Sequence, residues 1–307
     1  MFRNALLTTV LILAPLTGAQ AATLDAVSLL QQFNLITTGD VQVNSLHVHG
    51  RALVGGKMTG NLAEVNHDNI DNIVASDYDE LVLGTATSGT QVRVLNNGSA
   101  SFGGTGGYID AKTKSSPAVA PENFGQVLND FSADIAGTSA NATADKATMS
   151  NRISFNQSST GGTSVYAITA ADLLNREIAL DLNGADNIFI NVIGTGTFDL
   201  MSNFIGNSGI ADSVIWNFTG FSQVNLYRSI WGQVLAANSN VFFSSDIEGT
   251  LFAKNVTGQA QVHVHKLDYS QPETPSITPV PLPAGLPLLL GGIGAIAFVR
   301  RRRRAKA

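Results

Sequence analysis

The chain has 307 residues, with 18 basic and 23 acidic side chains and no cysteine. The lack of thiols excludes disulfide bonds, cysteine nucleophiles and zinc–thiolate sites. Seven of the basic residues lie near the two ends, so the middle of the chain carries 11 basic against 23 acidic residues, a net charge of −12. Such a surface repels a phosphate backbone and therefore argues against a nucleic-acid partner.

Residues 1–22 have the pattern of a secretory signal peptide. Arg3 supplies the positive charge, residues 5–14 form an apolar run, and Ala19 and Ala21 place small residues before the expected cleavage point. The apolar run is too short for a transmembrane helix, which must cross about 30 Å of hydrocarbon. The sequence therefore predicts an exported protein.

Two helices are predicted in a chain that is otherwise rich in β signals. The first covers residues 23–33 and places Leu24, Val27 and Leu30 on one face. The second begins at Pro121, because proline is favoured at the first position of a helix. Its apolar stripe, which should lie against a sheet, consists of Phe124, Leu128, Phe131 and Ile135.

Between Gln42 and Lys266 short β signals follow one another, separated by Gly, Asn, Ser and Asp. The predicted strands include residues 41–43, 46–48, 81–83, 92–95, 188–193, 224–226, 241–243 and 262–264. Helices and strands do not alternate regularly, which argues against a doubly wound or TIM-barrel fold. The chain is therefore predicted to be mainly β.

An internal repeat indicates how the strands are arranged. Residues 230–236 (Ile-Trp-Gly-Gln-Val-Leu-Ala) recur as residues 247–253 (Ile-Glu-Gly-Thr-Leu-Phe-Ala), an offset of 17, and residues 48–54 form a looser copy. This offset is about one coil of a β-solenoid, in which each rung stacks on the last and buries an aliphatic column. A β-sandwich with glycine at each strand bend is the alternative.

The candidate metal ligands are two His-Val-His pairs: His47 with His49, and His263 with His265. Side chains at i and i+2 of a strand point to one face, so each pair offers two imidazoles to one ion. A zinc or copper site would need the two strands side by side and a carboxylate such as Glu248 or Asp268. The alternative is a half-exposed strand on which polar histidines alternate with buried valines.

An acidic cluster offers the oxygen ligands that calcium prefers. It consists of Asp68, Asp71, Asp77, Asp79 and Glu80. It has neither the EF-hand pattern nor the nonapeptide repeat of calcium-binding β-rolls, and solvated loop charge is the alternative. No other cofactor is predicted, and no catalytic residues: there is no Gly-x-Ser-x-Gly elbow, and basic residues beside carboxylates are sparse. We therefore predict that the protein is not an enzyme.

The C-terminal end has three parts. Residues 270–283 are a Pro-rich spacer, residues 286–299 are apolar, and the five arginines Arg300, Arg301, Arg302, Arg303 and Arg304 follow. An arginine cluster after an apolar segment favours the cytoplasmic side of a membrane, so this end is predicted to contain a transmembrane helix.

Within residues 280–307 the tail resembles the VPLPA variant of PEP-CTERM sorting signals. The motif is Val280-Pro281-Leu282-Pro283-Ala284. The resemblance implies passage through the inner membrane of a Gram-negative bacterium and recognition by an exosortase, a membrane transpeptidase. An ordinary single-pass anchor is the alternative, although it needs no Pro motif.

Residues 24–268 resemble the choice-of-anchor A domain of bacterial surface proteins. The resemblance lies in residues 33–34, 39–41, 48–56, 214–218, 230–238 and 247–249. It implies a secreted, adhesin-like, right-handed β-helix with one flanking helix, and it assigns this domain to residues 23–269.

Together these patterns predict a cell-surface structural or adhesive protein. We expect a flat β face with Thr, Asn, Ser and aromatic side chains to bind an extracellular polysaccharide or matrix. An ice-binding protein on the same fold is a second hypothesis and predicts ordered Thr-rich ranks. A β-helix enzyme acting on carbohydrate is a third, and it requires converging carboxylates with a basic residue.

Overall fold

The structure, a computed structural model, describes residues 24–87, 89–104 and 107–271. The signal peptide expected at 1–22, the sorting motif at 280–284, the predicted transmembrane helix and the arginine cluster at 300–304 lie outside these residues. One structural unit ends at Tyr269, and Ser270–Ala307 is a second. None of the helices within the described residues is long and apolar enough to cross a membrane.

The first part of the chain begins with helix α1 (Ala26–Gln32) and continues as short strands. These are β1 (Leu35–Thr37), β2 (Val41–Val43), β3 (Leu46–Val48), β4 (Ala52–Val54), β5 (Met58–Gly60), β6 (Leu62–Val65), β7 (Leu81–Leu83), β8 (Gln91–Val94), β9 (Ser99–Phe102), β10 (Tyr108–Asp110) and β11 (Thr113–Ser115). A 3₁₀ turn at Ile70–Asn72 precedes β7. Helix α2 (Phe124–Gly137) then ends this part.

The second part has longer strands and two short helical turns, α3 (Ala170–Leu173) and a 3₁₀ turn at Ser208–Ser213. The strands are β12 (Arg152–Phe155), β13 (Thr163–Thr169), β14 (Glu177–Leu180), β15 (Asn187–Leu200), β16 (Phe204–Ile205), β17 (Val214–Leu226), β18 (Ile230–Trp231), β19 (Gln233–Phe243), β20 (Ile247–Glu248), β21 (Leu251–Gly258) and β22 (Gln261–His263).

All the ladders between these strands are parallel, and they stack into a β-solenoid whose rung order is not the chain order. The largest sheet runs β11-β9-β7-β4-β1-β21-β19-β17-β15-β13. The chain therefore starts in the middle of the stack and winds outward to β11. It starts again at the opposite end with β13 and winds back until β21 lies beside β1. Helix α2 connects the two parts of the chain and is about 21 Å long at 1.5 Å per residue. It packs along β15, β17 and β19.

Two further sheets complete the coils. One has seven strands in the order β10-β8-β6-β3-β22-β20-β18, and the other has three in the order β12-β14-β16. Inside the coils identical positions stack into aliphatic and aromatic columns, as a solenoid core requires. The longest runs through Tyr166, Ile190, Trp216, Val234, Leu251, Leu35, Ala52, Leu81 and Ala100, all of them buried.

The repeat at 230–236 and 247–253 occupies neighbouring coils in register. Ile230 lies beside Ile247, and Val234 beside Leu251. The looser copy at 48–54 stacks in the same register on the strands that come next in the two sheets. Val48 lies beside Val262 of β22, and Ala52 lies beside Leu35 of β1. Other coils are longer: Ala52 lies beside Leu81, 29 residues on. The period of about 17 residues therefore does not hold for the whole chain, since loops lengthen some of the coils.

Both predicted helices are present and cover one side of the solenoid, although the second begins at Phe124 and not at Pro121. Leu128, Phe131 and Ile135 of α2 and Val27 and Leu30 of α1 are buried in a second core. The outward positions of the main sheet beneath them are Leu235, Phe252, Ile36, Leu53 and Val82. The part of the main sheet beneath the two helices is thus buried on both faces, as is usual for parallel sheets.

Buried amides attach α2 to the sheet. Nδ2 of Asn217 donates to the carbonyl oxygen of Ser132 at 2.9 Å and to Oδ1 of Asn191 at 2.8 Å. Nδ2 of Asn191 in turn donates to the carbonyl oxygen of Ile135 at 2.9 Å. The Ser132 hydroxyl donates to Oδ1 of Asn217 at 2.6 Å. This buried network fixes the position of the helix along the stack.

Residues 33–34 and 39–41, which carry part of the family resemblance, lie where the first and last coils meet. The backbone amide of Leu251 donates to the carbonyl of Asn34, and that of Gly39 to the carbonyl of Lys254, both at 2.8 Å. The hydroxyl of Thr250 donates to the carbonyls of Leu30 and Phe33 at 2.8 and 2.9 Å. These contacts form the seam, where β1 and β21 join the two parts of the solenoid.

Candidate functional site

Within the described residues, the side of the solenoid that neither α1 nor α2 covers is a sheet of polar side chains. It is built by the second halves of β15, β17, β19 and β21 together with β2 and β5. Alternate positions point inward and are buried, from Phe198 through Val41 to Met58. The outward positions form what we call the polar face: Thr197, Gln223, Asn240 and Asn255 in one rank, and Asp199, Asn225, Phe242, Thr257, Gln42 and Thr59 in the other.

Hydrogen bonds between neighbouring rungs order these side chains. Nδ2 of Asn255 donates to Oδ1 of Asn240 at 2.9 Å, and Nδ2 of Asn225 to Oδ1 of Asp199 at 2.6 Å. Nε2 of Gln223 donates to Oδ1 of Asn225 at 2.8 Å. Each amide has two donor hydrogens and an oxygen with two lone pairs, so the ladder leaves groups free for an outside ligand. The longer rank crosses six strands, about 24 Å at the usual strand spacing.

The seven-stranded sheet carries a second surface, the histidine face, defined by His47, His49, His67, His263 and His265 and the carboxylates beside them. These are all five histidines of the chain. Strand β22 lies beside β3 with Gln261 opposite His47 and Val262 opposite Val48, which brings the two His-Val-His pairs together. The fifth histidine, His67, belongs to neither pair and was not predicted as a ligand; its ring centroid lies 4.7 Å from that of His49.

His265 lies between two carboxylates of the histidine face. Its Nδ1 is 2.9 Å from Oδ1 of Asp212, and its Nε2 is 3.2 Å from Oε2 of Glu248. The hydrogen bond to Glu248 raises the pKa of His265 above 6.5, with Asp212 adding to the effect and partial burial opposing it. The same bond lowers the pKa of Glu248 below 4.5, and a second bond from His263 at 2.9 Å adds to it. Each of the two groups therefore favours the charged form of the other.

His49 is held between Asp68 and Gln261. Its Nδ1 is 2.9 Å from Oδ2 of Asp68, and its Nε2 is 2.8 Å from Oε1 of Gln261. His47 lies further from a carboxylate, with Nε2 3.7 Å from Oε2 of Glu64. Two carboxylates, Glu248 and Asp268, were predicted to complete a site with the His-Val-His pairs, and of these Glu248 contacts the histidines. Asp268 is paired through its backbone with Asp212.

The acidic cluster considered for calcium is spread over separate partners. Asp71 pairs with the buried guanidinium of Arg51. Glu80 is buried and accepts hydrogen bonds from the amide and hydroxyl of Ser99 at 2.6 and 3.1 Å. Asp68 belongs to the histidine face. Among the described residues, no group of three carboxylates from this cluster could hold one ion.

Comparisons with known proteins identify the domain. A model of the family described as "Putative Ice-binding-like adhesive domain" matches residues 26–264. Three solved structures are similar. An ice-binding protein from the Antarctic ascomycete Antarctomyces psychrotrophicus has 11% sequence identity, covering 81% of this chain and 100% of that chain, with a TM-score of 0.34. The DUF3494 domain of Shewanella frigidimarina ice-binding protein 1 has 13% identity, covering 78% of this chain and 97% of that chain, with a TM-score of 0.36, and an ice-binding protein from an Antarctic biological consortium has 12% identity, covering 83% of this chain and 94% of that chain, with a TM-score of 0.34. No curated protein matches the chain. The family match covers most of the solenoid, and the chain therefore belongs to the family of ice-binding-like adhesive domains.

Proposed function

We propose that the chain is an exported surface protein that adheres to extracellular polysaccharide through its polar face. The observation that carries the proposal is the uncovered sheet of ordered amides at Asn225, Asn240 and Asn255. An ordered surface loses little side-chain entropy when it binds, so more of the contact energy appears as affinity.

The chemistry of the face suits a polymer rich in hydroxyl groups. Each sugar hydroxyl donates and accepts, and the amides and hydroxyls of the polar face do the same. A linear polymer presents similar groups repeatedly, and the rungs repeat about every 4.8 Å. Phe242, whose ring centroid is 5.6 Å from that of Tyr227, adds an aromatic surface for the apolar side of a sugar ring.

Charge narrows the class of polysaccharide. The middle of the chain has a net charge of −12, and like charges repel across an interface. We therefore expect neutral polymers to bind more strongly than acidic ones, and the difference to shrink as salt screens the repulsion.

A panel of immobilised polymers tests this function, with dextran and chitin as neutral members and alginate as the acidic one. Asn240→Arg places a long charged side chain in the middle of the polar face and should abolish retention. Thr113→Arg, on the exposed end strand β11, makes the same kind of change away from the face and should leave retention unchanged. Equal binding by both variants and the parent chain would show that the polar face is not the adhesive surface.

Ice is the second candidate ligand, and the family description favours it. The polar face carries Thr59, Thr197 and Thr257, but no two of them are in register on adjacent rungs. Inhibition of ice recrystallisation, measured on the same three proteins, separates the candidates. Activity in the parent chain that Asn240→Arg removes, without polysaccharide retention, would favour ice.

Export and sorting complete the proposal and rest on the sequence alone. We propose that residues 1–22 direct export and that residues 280–307 are a sorting signal read by an exosortase-type transpeptidase at the inner membrane. The mature protein would then end near the Pro motif and remain at the cell surface or outside the cell.

A further inference from the structure

Three side chains that commonly bind metals meet on the histidine face where β3 and β6 end. His49 follows β3, and His67 and Asp68 follow β6, the neighbouring strand. One ligand atom from each lies within 4.8 Å of the other two. Nδ1 of His67 is 3.6 Å from Oδ1 of Asp68. Ligand atoms of a tetrahedral site with bonds of about 2.0–2.2 Å are roughly 3.3–3.6 Å apart. The rings of His49 and His67 are stacked, 27° from parallel, so side-chain rotations out of that arrangement are needed to bring all three ligand atoms onto one ion.

One tautomer of His49 fits its two hydrogen-bond contacts and directs the Nδ1 lone pair toward Asp68. The side-chain oxygen of Gln261 can only accept, so Nε2 of His49, 2.8 Å away, donates its proton there. In the neutral imidazole Nδ1 then carries a lone pair, and it lies 2.9 Å from Oδ2 of Asp68, a second acceptor. Two acceptors at this distance need a cation between them, either a proton or a metal ion. A histidine whose other nitrogen donates to an oxygen is also the usual arrangement of a metal ligand.

The backbone holds the three ligands in place. The amide of Asp68 donates to the carbonyl of His49 at 3.0 Å, so the ladder between β3 and β6 extends to the site itself. From the next rung, Nδ2 of Asn96 donates to the carbonyls of Asn66 and His67 at 2.7 and 3.0 Å. Ligands fixed by supporting hydrogen bonds require little rearrangement when an ion arrives.

Charge also favours a cation here. Within the described part of the chain, Asp68 has no lysine or arginine partner, and its ion-pair contacts are the imidazoles of His49 and His67. The side chains of His67 and Asp68 are 45% and 41% exposed, so an ion from solution can reach them.

We propose that His49, His67 and Asp68 bind one divalent transition-metal ion of the Zn²⁺ or Cu²⁺ class, with the remaining position open to water. Imidazole nitrogen with a single carboxylate is a donor set for these ions rather than for calcium or magnesium, which take oxygen ligands. The site shares no residue with the polar face, so it is independent of the proposed adhesion.

Isothermal titration calorimetry of the full chain with ZnCl₂ near neutral pH, after chelator treatment, tests the site. We expect one ion per chain, and a loss of affinity on the order of 100-fold in His67→Asn and in Asp68→Asn. Both substitutions change exposed side chains, so the variants should retain the melting temperature of the metal-free parent. Added Zn²⁺ should raise the melting temperature of the parent but not of the variants, because an ion that binds only the folded state stabilises it.

His265→Gln is the matched control, since His265 lies on the same face but outside the three ligands. Its affinity for Zn²⁺ should equal that of the parent chain. The proposal is overturned if the parent binds no Zn²⁺, if His67→Asn and Asp68→Asn bind it as tightly as the parent, or if only His265→Gln loses the ion.

Discussion

Replacing Gly249 with valine should destabilise the packing between two neighbouring coils. Gly249 has a φ of +146°, a backbone conformation that a residue with a side chain rarely adopts. A Cβ atom there would lie 2.5 Å from the carbonyl oxygen of Gly232 and 2.7 Å from its carbonyl carbon, against about 3.4 Å for an ordinary contact. Both atoms are backbone, so neither can turn aside as a flexible side chain could.

The cost has two parts. Holding a residue other than glycine in such a conformation costs about 1–3 kcal/mol, and forcing extra atoms into a packed site costs about 1–3 kcal/mol more. A loss of about 3 kcal/mol in a domain of this size lowers the melting temperature by roughly 10 °C. Separating the rungs would also weaken the bond from the amide of Gly232 to the carbonyl of Glu248, now 2.9 Å.

Thermal unfolding of the full chain, followed by circular dichroism in the far ultraviolet, measures the effect. Gly249→Ala should show most of the loss, because the first added carbon already meets the backbone. Gly137→Ala is the control: Gly137 ends α2, and an added carbon meets nothing within 4 Å. If Gly249→Val melts at the temperature of the parent chain, the backbone of Gly232 does not crowd a side chain at position 249.

Three further predictions concern pH, the helix and the tail. The raised pKa of His265 contributes stability that is complete below pH 6.5 and is lost as the pH rises through the pKa of the folded state. The lowered pKa of Glu248 contributes stability that is complete above pH 4.5 and is lost as the pH falls through its pKa in the folded state. The melting temperature should therefore fall on either side of this window, and His265→Gln should flatten the alkaline side; an unchanged alkaline slope would contradict this. Asn217→Ala removes the side-chain partner of Ser132 and Asn191 and should cost about 1–3 kcal/mol in urea unfolding, whereas a neutral result would mean that α2 does not depend on the network. Changing Pro281 and Pro283 to alanine should leave uncleaved protein in the inner membrane if the tail is a sorting signal, and intact-mass measurement of a wild-type surface form that still carries Arg300 would contradict sorting.

The strands could be predicted from sequence because their signal is local. Residues 41–43, 46–48 and 81–83 match β2, β3 and β7, since a short run of apolar residues with turn residues on either side is a property of the segment itself. The same holds for the stripe of Phe131 and Ile135 on α2. The rung order is not local. The 17-residue offset does not show whether the coils stack in chain order or whether β1 pairs with β21, because all the coils bury similar apolar columns.

The histidine face likewise combines residues that the sequence reveals with a contact that depends on strand pairing. The two His-Val-His pairs are visible in the sequence, and their strands are neighbours in the structure. His67 could have been found only by noticing that Asn66-His67-Asp68 follows the alternating strand β6 as His49 follows β3. Recognising that these two strand ends lie together requires knowing that β3 pairs with β6.

Hydroxyl-radical footprinting of the full chain, with and without the neutral polysaccharide that it retains, tests the adhesive function most directly. Aromatic side chains react readily, and Phe242 and Tyr227 form a half-buried pair at the polar face. Tyr108, on β10 of the seven-stranded sheet, is 61% exposed and serves as the internal control. Adhesion through the polar face predicts that bound polysaccharide protects Phe242 and Tyr227 while Tyr108 reacts as before. Protection of Tyr108 with no change at Phe242 would contradict it.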